Sequence, residues 1–245
     1  MQLRISLFLA LLAWSTSAHA ALFRSPNVKH LTTKSFKKAV QGSEKLTVAA
    51  FTAPWCGYCK KLAPDFDKVA DSLKGIVNVV NVDCDEDQNK PLCGEMGVQG
   101  FPTIKVFPGG SAPSRNYDGQ RTAKDIISYA TSSMPTFVKR ATTADEASTK
   151  PVSLLFTSAG KVTPLYKALS TDFHRSIDFY AARDTKVGEQ AMRAFGVDKT
   201  PALLVLSGEG EVKRYDGPLK YDKLHDFLKP FAASKGAKPK AHSEL

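Results

Sequence analysis

Cysteine is scarce in this chain. Four residues in 245 are cysteines, at positions 56, 59, 84 and 93, and none follows. That absence excludes thiol chemistry from everything beyond Cys93. It also argues against structural zinc, which wants four ligands, often two CxxC-like pairs. Cys84 and Cys93 are separated by eight residues, wide for a zinc knuckle, and His19, His30, His174, His225 and His242 are scattered. Long hydrophobic runs are missing as well. The run over residues 5–14 is broken only by Ser6 and is far shorter than the ~20 residues of a spanning helix, so no membrane insertion is expected. No basic block exists either. The net charge of +10 divides into +4 over residues 21–134, +3 over 135–234, +2 over the last eleven residues and +1 from Arg4. Nucleic-acid surfaces cluster their charge on one face or helix, so nucleic acid is not an expected partner.

The sequence divides into four parts. Residues 1–20 read as a signal peptide: Arg4 supplies a positive start, residues 5–14 an apolar stretch, and Ala18-His19-Ala20 the small residues of a cleavage site. Residues 235–245 read as a flexible tail ending in His242-Ser243-Glu244-Leu245, a retrieval-like signal with Ser243 where Asp is usual. Between them lie residues 21–134 and 135–234, which repeat one pattern. Gly97-Val98-Gln99-Gly100-Phe101-Pro102-Thr103 aligns with Gly196-Val197-Asp198-Lys199-Thr200-Pro201-Ala202. Each is followed by a strand-like run, a Tyr-Asp-Gly (117–119 and 215–217) and an apolar-periodic helix. One architecture used twice accounts for this.

In the first copy, strands are predicted at 28–31, 46–52, 76–82, 104–107 and 115–117, and helices at 33–40, 56–73, 89–96 and 122–132. The long helix carries Cys59, Leu62, Ala63, Phe66, Val69, Ala70 and Leu73 at three- and four-residue steps, and Pro64 is expected to kink it. In the second copy, strands are predicted at 137–139, 152–156, 177–182, 202–206 and 212–215, and helices at 165–170, 189–195 and 221–231. Residues 133–136 form the linker. The element order implies an α/β fold with a parallel core, an antiparallel edge and helices on both faces.

The chemistry concentrates in Ala53-Pro54-Trp55-Cys56-Gly57-Tyr58-Cys59-Lys60. This CxxC follows a buried strand and opens a helix. The first cysteine therefore sits where free backbone N–H groups and the helix dipole favour a thiolate, the attacking species in disulfide exchange. The second lies one turn further in, on the buried face, placed to resolve a mixed disulfide. Cys56 is read as nucleophile and Cys59 as resolver.

These residues, with the downstream Gly100-Phe101-Pro102-Thr103 and the strand order, resemble the thioredoxin fold. Adding the signal peptide, the retrieval-like tail and the cysteine-free second copy, the chain resembles the protein disulfide isomerases. More narrowly, it resembles small fungal members with one redox-active and one inert thioredoxin-like domain. The resemblance covers residues 26–233. It implies an enzyme that forms, reduces or rearranges disulfides in secretory proteins of the endoplasmic reticulum lumen. The alternative is a chaperone or escort with weak redox activity. The implied partners are unfolded or misfolded clients, glutathione or another oxidoreductase, and a retrieval receptor; no cofactor or metal is implied. Trp55, Gly57 and Tyr58 belong to the active-site motif. Phe101 and Pro102 correspond to the segment that pairs with substrate main chain. Arg121 matches an arginine that assists deprotonation of the resolving cysteine.

Three departures from the family pattern bear on rate and direction. Tyr58 stands where His is usual, so a less oxidising disulfide is expected. Ala50 stands where a buried Glu is common, and Asn81 where its Lys partner is common. Losing both charges together is consistent, because one buried charge alone is costly; slow resolution by Cys59 and stronger dependence on Arg121 are expected. The small fungal members show a cysteine pair like Cys84 and Cys93, which implies a structural disulfide; a second redox site is the alternative. The acidic stretch between them lacks the central glycine and terminal Glu of a calcium loop. In the second copy, residues 155–160 take the place of the CxxC segment. That copy is expected to buttress the first or to bind client surface near Pro201.

Overall fold

The computed structural model describes residues 22–110, 112–141, 150–183, 186–207 and 211–233. The signal-peptide reading and the tail with its HSEL ending lie outside the described residues. The rest forms two five-stranded sheets of mixed α/β construction, met in chain order.

The first sheet contains β1 (Val28–His30), β2 (Thr47–Thr52), β3 (Asn78–Asp83), β4 (Thr103–Phe107) and β5 (Arg115–Asn116), in the spatial order β1-β3-β2-β4-β5. β1, β3 and β2 pair in parallel, while β4 and β5 are antiparallel. β2 is buried along its whole length, as expected of a strand covered on both faces. Helices α1 (Thr33–Phe36), α2 (Gly57–Ser72), α3 (Lys90–Glu95) and α4 (Ala123–Ser132) accompany it. Alternate residues of β2 feed two cores. Val48 and Ala50 join Leu62, Phe66, Val69 and Ile126 on one face; Ala49 and Phe51 join Phe36, Val82 and Phe107 on the other.

The second sheet repeats this with β6 (Val138–Arg140), β7 (Val152–Thr157), β8 (Asp178–Arg183), β9 (Ala202–Leu206) and β10 (Val212–Tyr215), in the order β10-β9-β7-β8-β6. Its helices are α5 (Pro164–Phe173), α6 (Lys186–Ala194) and α7 (Tyr221–Ala233). The repeated Tyr-Asp-Gly has one physical reason in both copies. The Tyr117 hydroxyl donates to Gln120 O at 2.6 Å and the Tyr215 hydroxyl to Pro218 O at 2.8 Å. Each ring crosses over its glycine, so a Cβ on Gly119 or Gly217 would sit 2.7 or 2.5 Å from the phenol oxygen.

Two expectations are corrected in detail. The helix predicted over 33–40 is α1 followed by a π-helical turn, Lys37–Gln41. α5 runs past Ser170 to Phe173, because Thr171 turns its hydroxyl back to Lys167 O at 3.0 Å and Phe173 still faces the core. α2 spans Pro64 as one helix.

The units meet along a polar and aromatic seam. Lys45 Nζ donates to Gly75 O at 2.7 Å and to Asp172 Oδ2 at 3.1 Å, and the Tyr221 hydroxyl donates to the same Asp172 oxygen at 2.6 Å. Glu44 pairs with Arg175 and lies 3.3 Å from His174 Nε2. Ala168 of α5 is buried in the first unit's core, and Tyr221 packs against the cores of both units.

Candidate active site

β2 delivers the chain to the site and α2 carries it away. Between them Cys56 N donates to Ala53 O at 3.1 Å, closing a turn that ends in the helix. Cys56 is the N-cap of α2, and its Sγ accepts the Cys59 N–H at 3.1 Å. Sulfur thus takes the place an oxygen cap would have, next to the positive end of a sixteen-residue helix. Cys59, on the first turn, is fully buried, and its Sγ donates to Cys56 Sγ at 2.6 Å. Ala53, Cys56 and Cys59 form a small apolar cluster on which Leu22 and Phe101 pack.

The two thiols are not equivalent. Burial pushes Cys59 up to about 12; its hydrogen bond to Cys56 and the Cys56 charge push the same way. A backbone contact with Ala53 and the positive charge of Arg121 act against this rise. Arg121 is brought to the site from the turn before α4, its Nη2 donating to Pro102 O at 3.2 Å. The Phe101–Pro102 peptide is cis, and so is Thr200–Pro201 in the second unit. Trp55 and Tyr58 stand on the surface, 65% and 67% exposed. Trp55 meets Phe101 edge-on, and Lys61 Nζ lies over the Tyr58 ring. The structure therefore brings Trp55, Cys56, Cys59, Phe101, Pro102 and Arg121 to one place. Cys84 and Cys93 lie in a separate cluster and are joined to each other, with Cα atoms 6.0 Å apart.

Ala50 and Asn81 are direct partners across β2 and β3. Ala50 is fully buried in apolar surroundings, whereas Asn81 Oδ1 accepts from Thr52 Oγ1 at 2.7 Å and its amide lies 3.4 Å from His30 Nδ1. An uncharged amide–hydroxyl pair thus fills this position. Sequence reasoning missed Thr52, His30, Leu22 and Asp85, the last of which accepts the Trp55 indole N–H at 3.0 Å. A signal for Thr52 was within reach, since strand alternation puts it on the face of Ala50.

In the second unit residues 155–160 end β7 and begin the turn, in the place that residues 50–55 hold in the first. Thr157 Oγ1 accepts the Ala159 N–H at 3.1 Å, which turns the chain early and delays the helix. The cap of α5 is Thr163, whose Oγ1 accepts from Tyr166 N at 3.4 Å. Thr163 and Tyr166 thus stand where Cys56 and Cys59 stand.

Residues 27–132 match the thioredoxin family. The chain is 36% identical to a Dictyostelium discoideum protein named as a protein disulfide-isomerase, over 84% of this chain and 53% of that one. It is 34% identical to protein disulfide-isomerase MPD1 of Saccharomyces cerevisiae, over 73% of this chain and 63% of that one. Over most of its length the chain is similar to proteins named protein disulfide-isomerases, and its first unit is thioredoxin-like. It spans between half and two thirds of the length of these two curated relatives. Among solved structures it is similar in fold to full-length ERdj5, with a TM-score of 0.52 and 20% identity over 84% of this chain and 32% of that one.

Proposed function

We propose that this protein is a thiol–disulfide oxidoreductase and isomerase of the protein disulfide-isomerase family, acting on secretory-pathway proteins through the Cys56–Cys59 pair. The observation that carries this reading is the position of Cys56 Sγ at the α2 cap, with Cys59 buried one turn behind it. The Cys56 thiolate attacks a client disulfide, one S–S bond forms as another breaks, and a client thiolate leaves. Cys59, once deprotonated, attacks Cys56 Sγ; the Cys56–Cys59 disulfide forms and the second client thiolate leaves, so the client gains two electrons. The reverse sequence oxidises a client. Where a client thiol attacks the mixed disulfide first, Cys56 is regenerated and the client is isomerised with no net electron transfer. Glutathione or another oxidoreductase resets the pair.

Arg121, whose positive charge opposes the rise at Cys59, assists its deprotonation. Phe101 and Pro102, beside the cysteines, pair with client main chain. Cys84 and Cys93 form a structural disulfide. Residues 21–134 and 135–234 act as the redox-active and inert domains, and the lumen of the endoplasmic reticulum, with retrieval through the C-terminus, is the compartment. An escort with weak redox activity is the second reading, favoured by the uncharged Ala50 and Asn81 beneath the site.

Refolding of scrambled ribonuclease in a glutathione buffer tests both. Activity restored by wild type and lost in Cys56→Ala supports the isomerase. An inactive wild type that still suppresses client aggregation supports the escort. Fluorescence of a tagged full chain in mitochondria instead of the endoplasmic reticulum would overturn the compartment.

A further inference from the structure

Trp55 stands out of the surface yet is held on two sides. Its indole N–H donates to Asp85 Oδ1 at 3.0 Å, and its ring meets Phe101 edge-on with centroids 5.8 Å apart. The two supports come from opposite ends of one crosslink. Asp85 follows Cys84 directly, and its amide is fixed on Asp83 Oδ1 at 3.0 Å. Phe101 ends the segment leaving α3, which is tied down where Val98 N donates to Cys93 O at 2.9 Å. Cys84 and Cys93 are bonded to each other within the buried cluster on which Val98 and Phe101 pack.

We propose that the Cys84–Cys93 bridge and Asp85 are positioning elements for Trp55, holding its indole as a fixed wall beside Cys56 for peptide and protein clients. The proposal rests on Cys56 being the attacking thiol. Cys56 is only 6% exposed, so an indole one residue away decides how a client chain reaches its sulfur. An indole without the Asp85 bond samples several rotamers, and a client must then restrict it on binding, at a cost in affinity. A small disulfide such as oxidised glutathione does not span the wall and is insensitive to it.

The test uses a Trp14→Phe background, in which Trp55 is the only tryptophan. Asp85→Ala is expected to raise acrylamide quenching of Trp55 fluorescence. It should also raise KM for a disulfide-bonded peptide about three- to tenfold, the worth of one exposed hydrogen bond, with kcat and the rate with oxidised glutathione within twofold of the parent. Asp85→Asn keeps an acceptor oxygen and should restore quenching and KM. The Cys84→Ala/Cys93→Ala double variant should reproduce Asp85→Ala; should it not fold, the Asp85 pair decides alone. Unchanged quenching in Asp85→Ala, or altered quenching with an unaltered KM, overturns the proposal. A parent protein inactive on every client, with Trp55 still loosened by Asp85→Ala, would instead fault the isomerase reading and the client role of the wall together, leaving only the structural coupling.

Discussion

The two units have the same strand order and the same Tyr-over-Gly turn, yet they use the start of their long central helix in opposite ways. In the first, the cap is Cys56 and the residue three further on is Cys59, a small, buried group that can reach the capping sulfur. In the second, the cap is Thr163 and the residue three further on is Tyr166. Its hydroxyl, fully enclosed, hydrogen-bonds Ser153 O at 2.9 Å and Tyr180 O at 3.0 Å, and burial holds the phenol far above its usual range. One scaffold therefore supports either a pair of adjacent thiols or a structural pin. The difference lies in two side chains and the length of the turn before them, not in the sheet.

The largest effect expected from breaking this contrast is at Tyr166. Replacing it by Ala leaves a cavity and removes the buried hydroxyl between Ser153 and Tyr180, and should cost about 3–5 kcal/mol, read from urea unfolding, with Cys56 alkylation unaffected in native conditions. Next comes the pH dependence of Cys59. Burial raises its thiol, and does so also in a mixed disulfide, where Cys56 carries no charge, so the attacking thiolate is scarce at neutral pH and grows as pH rises. Resolution of a trapped mixed disulfide should therefore speed up continuously from pH 7 to 9; a plateau in that range would contradict the buried-thiol reading. Removing the opposing charge in Arg121→Ala should slow the same step by about three- to tenfold at pH 7, with Arg121→Lys recovering part of it.

A smaller effect sharpens the contrast from the other side. Thr163 is exposed at the α5 cap, so Thr163→Cys should place a thiol there that takes up glutathione as a mixed disulfide, detectable by mass. With Tyr166 as its neighbour it has no resolver, and turnover on a client should not rise. At the seam, Lys45→Met should lower stability by about 1 kcal/mol, since the lysine there is only partly buried and holds Gly75 O and Asp172.

Much of this was legible in the chain itself. The apolar steps of α2, the buried run of β2 and the repeat around Pro102 and Pro201 are local patterns, and local patterns fix elements. The placement of Cys56 and Cys59 was legible for the same reason, because the two are three residues apart at a helix start. What escaped was non-local or depended on turn geometry. Asp85 is 30 residues from Trp55, Asn81 is 29 from Thr52, and Asp172 is 127 from Lys45. The position of the second unit's cap escaped because the Thr157–Ala159 turn shifts the helix start, which residue type alone does not announce.

The central claim is that thiol attack on a client disulfide belongs to Cys56 alone. It is tested most directly by incubating the Cys59→Ala variant with a disulfide-bonded peptide at neutral pH, quenching with acid, and mapping the covalent adduct by mass spectrometry. The account predicts one adduct, on Cys56, that persists because nothing resolves it. An adduct on Cys84 or Cys93, or none at all with the protein folded, would contradict it.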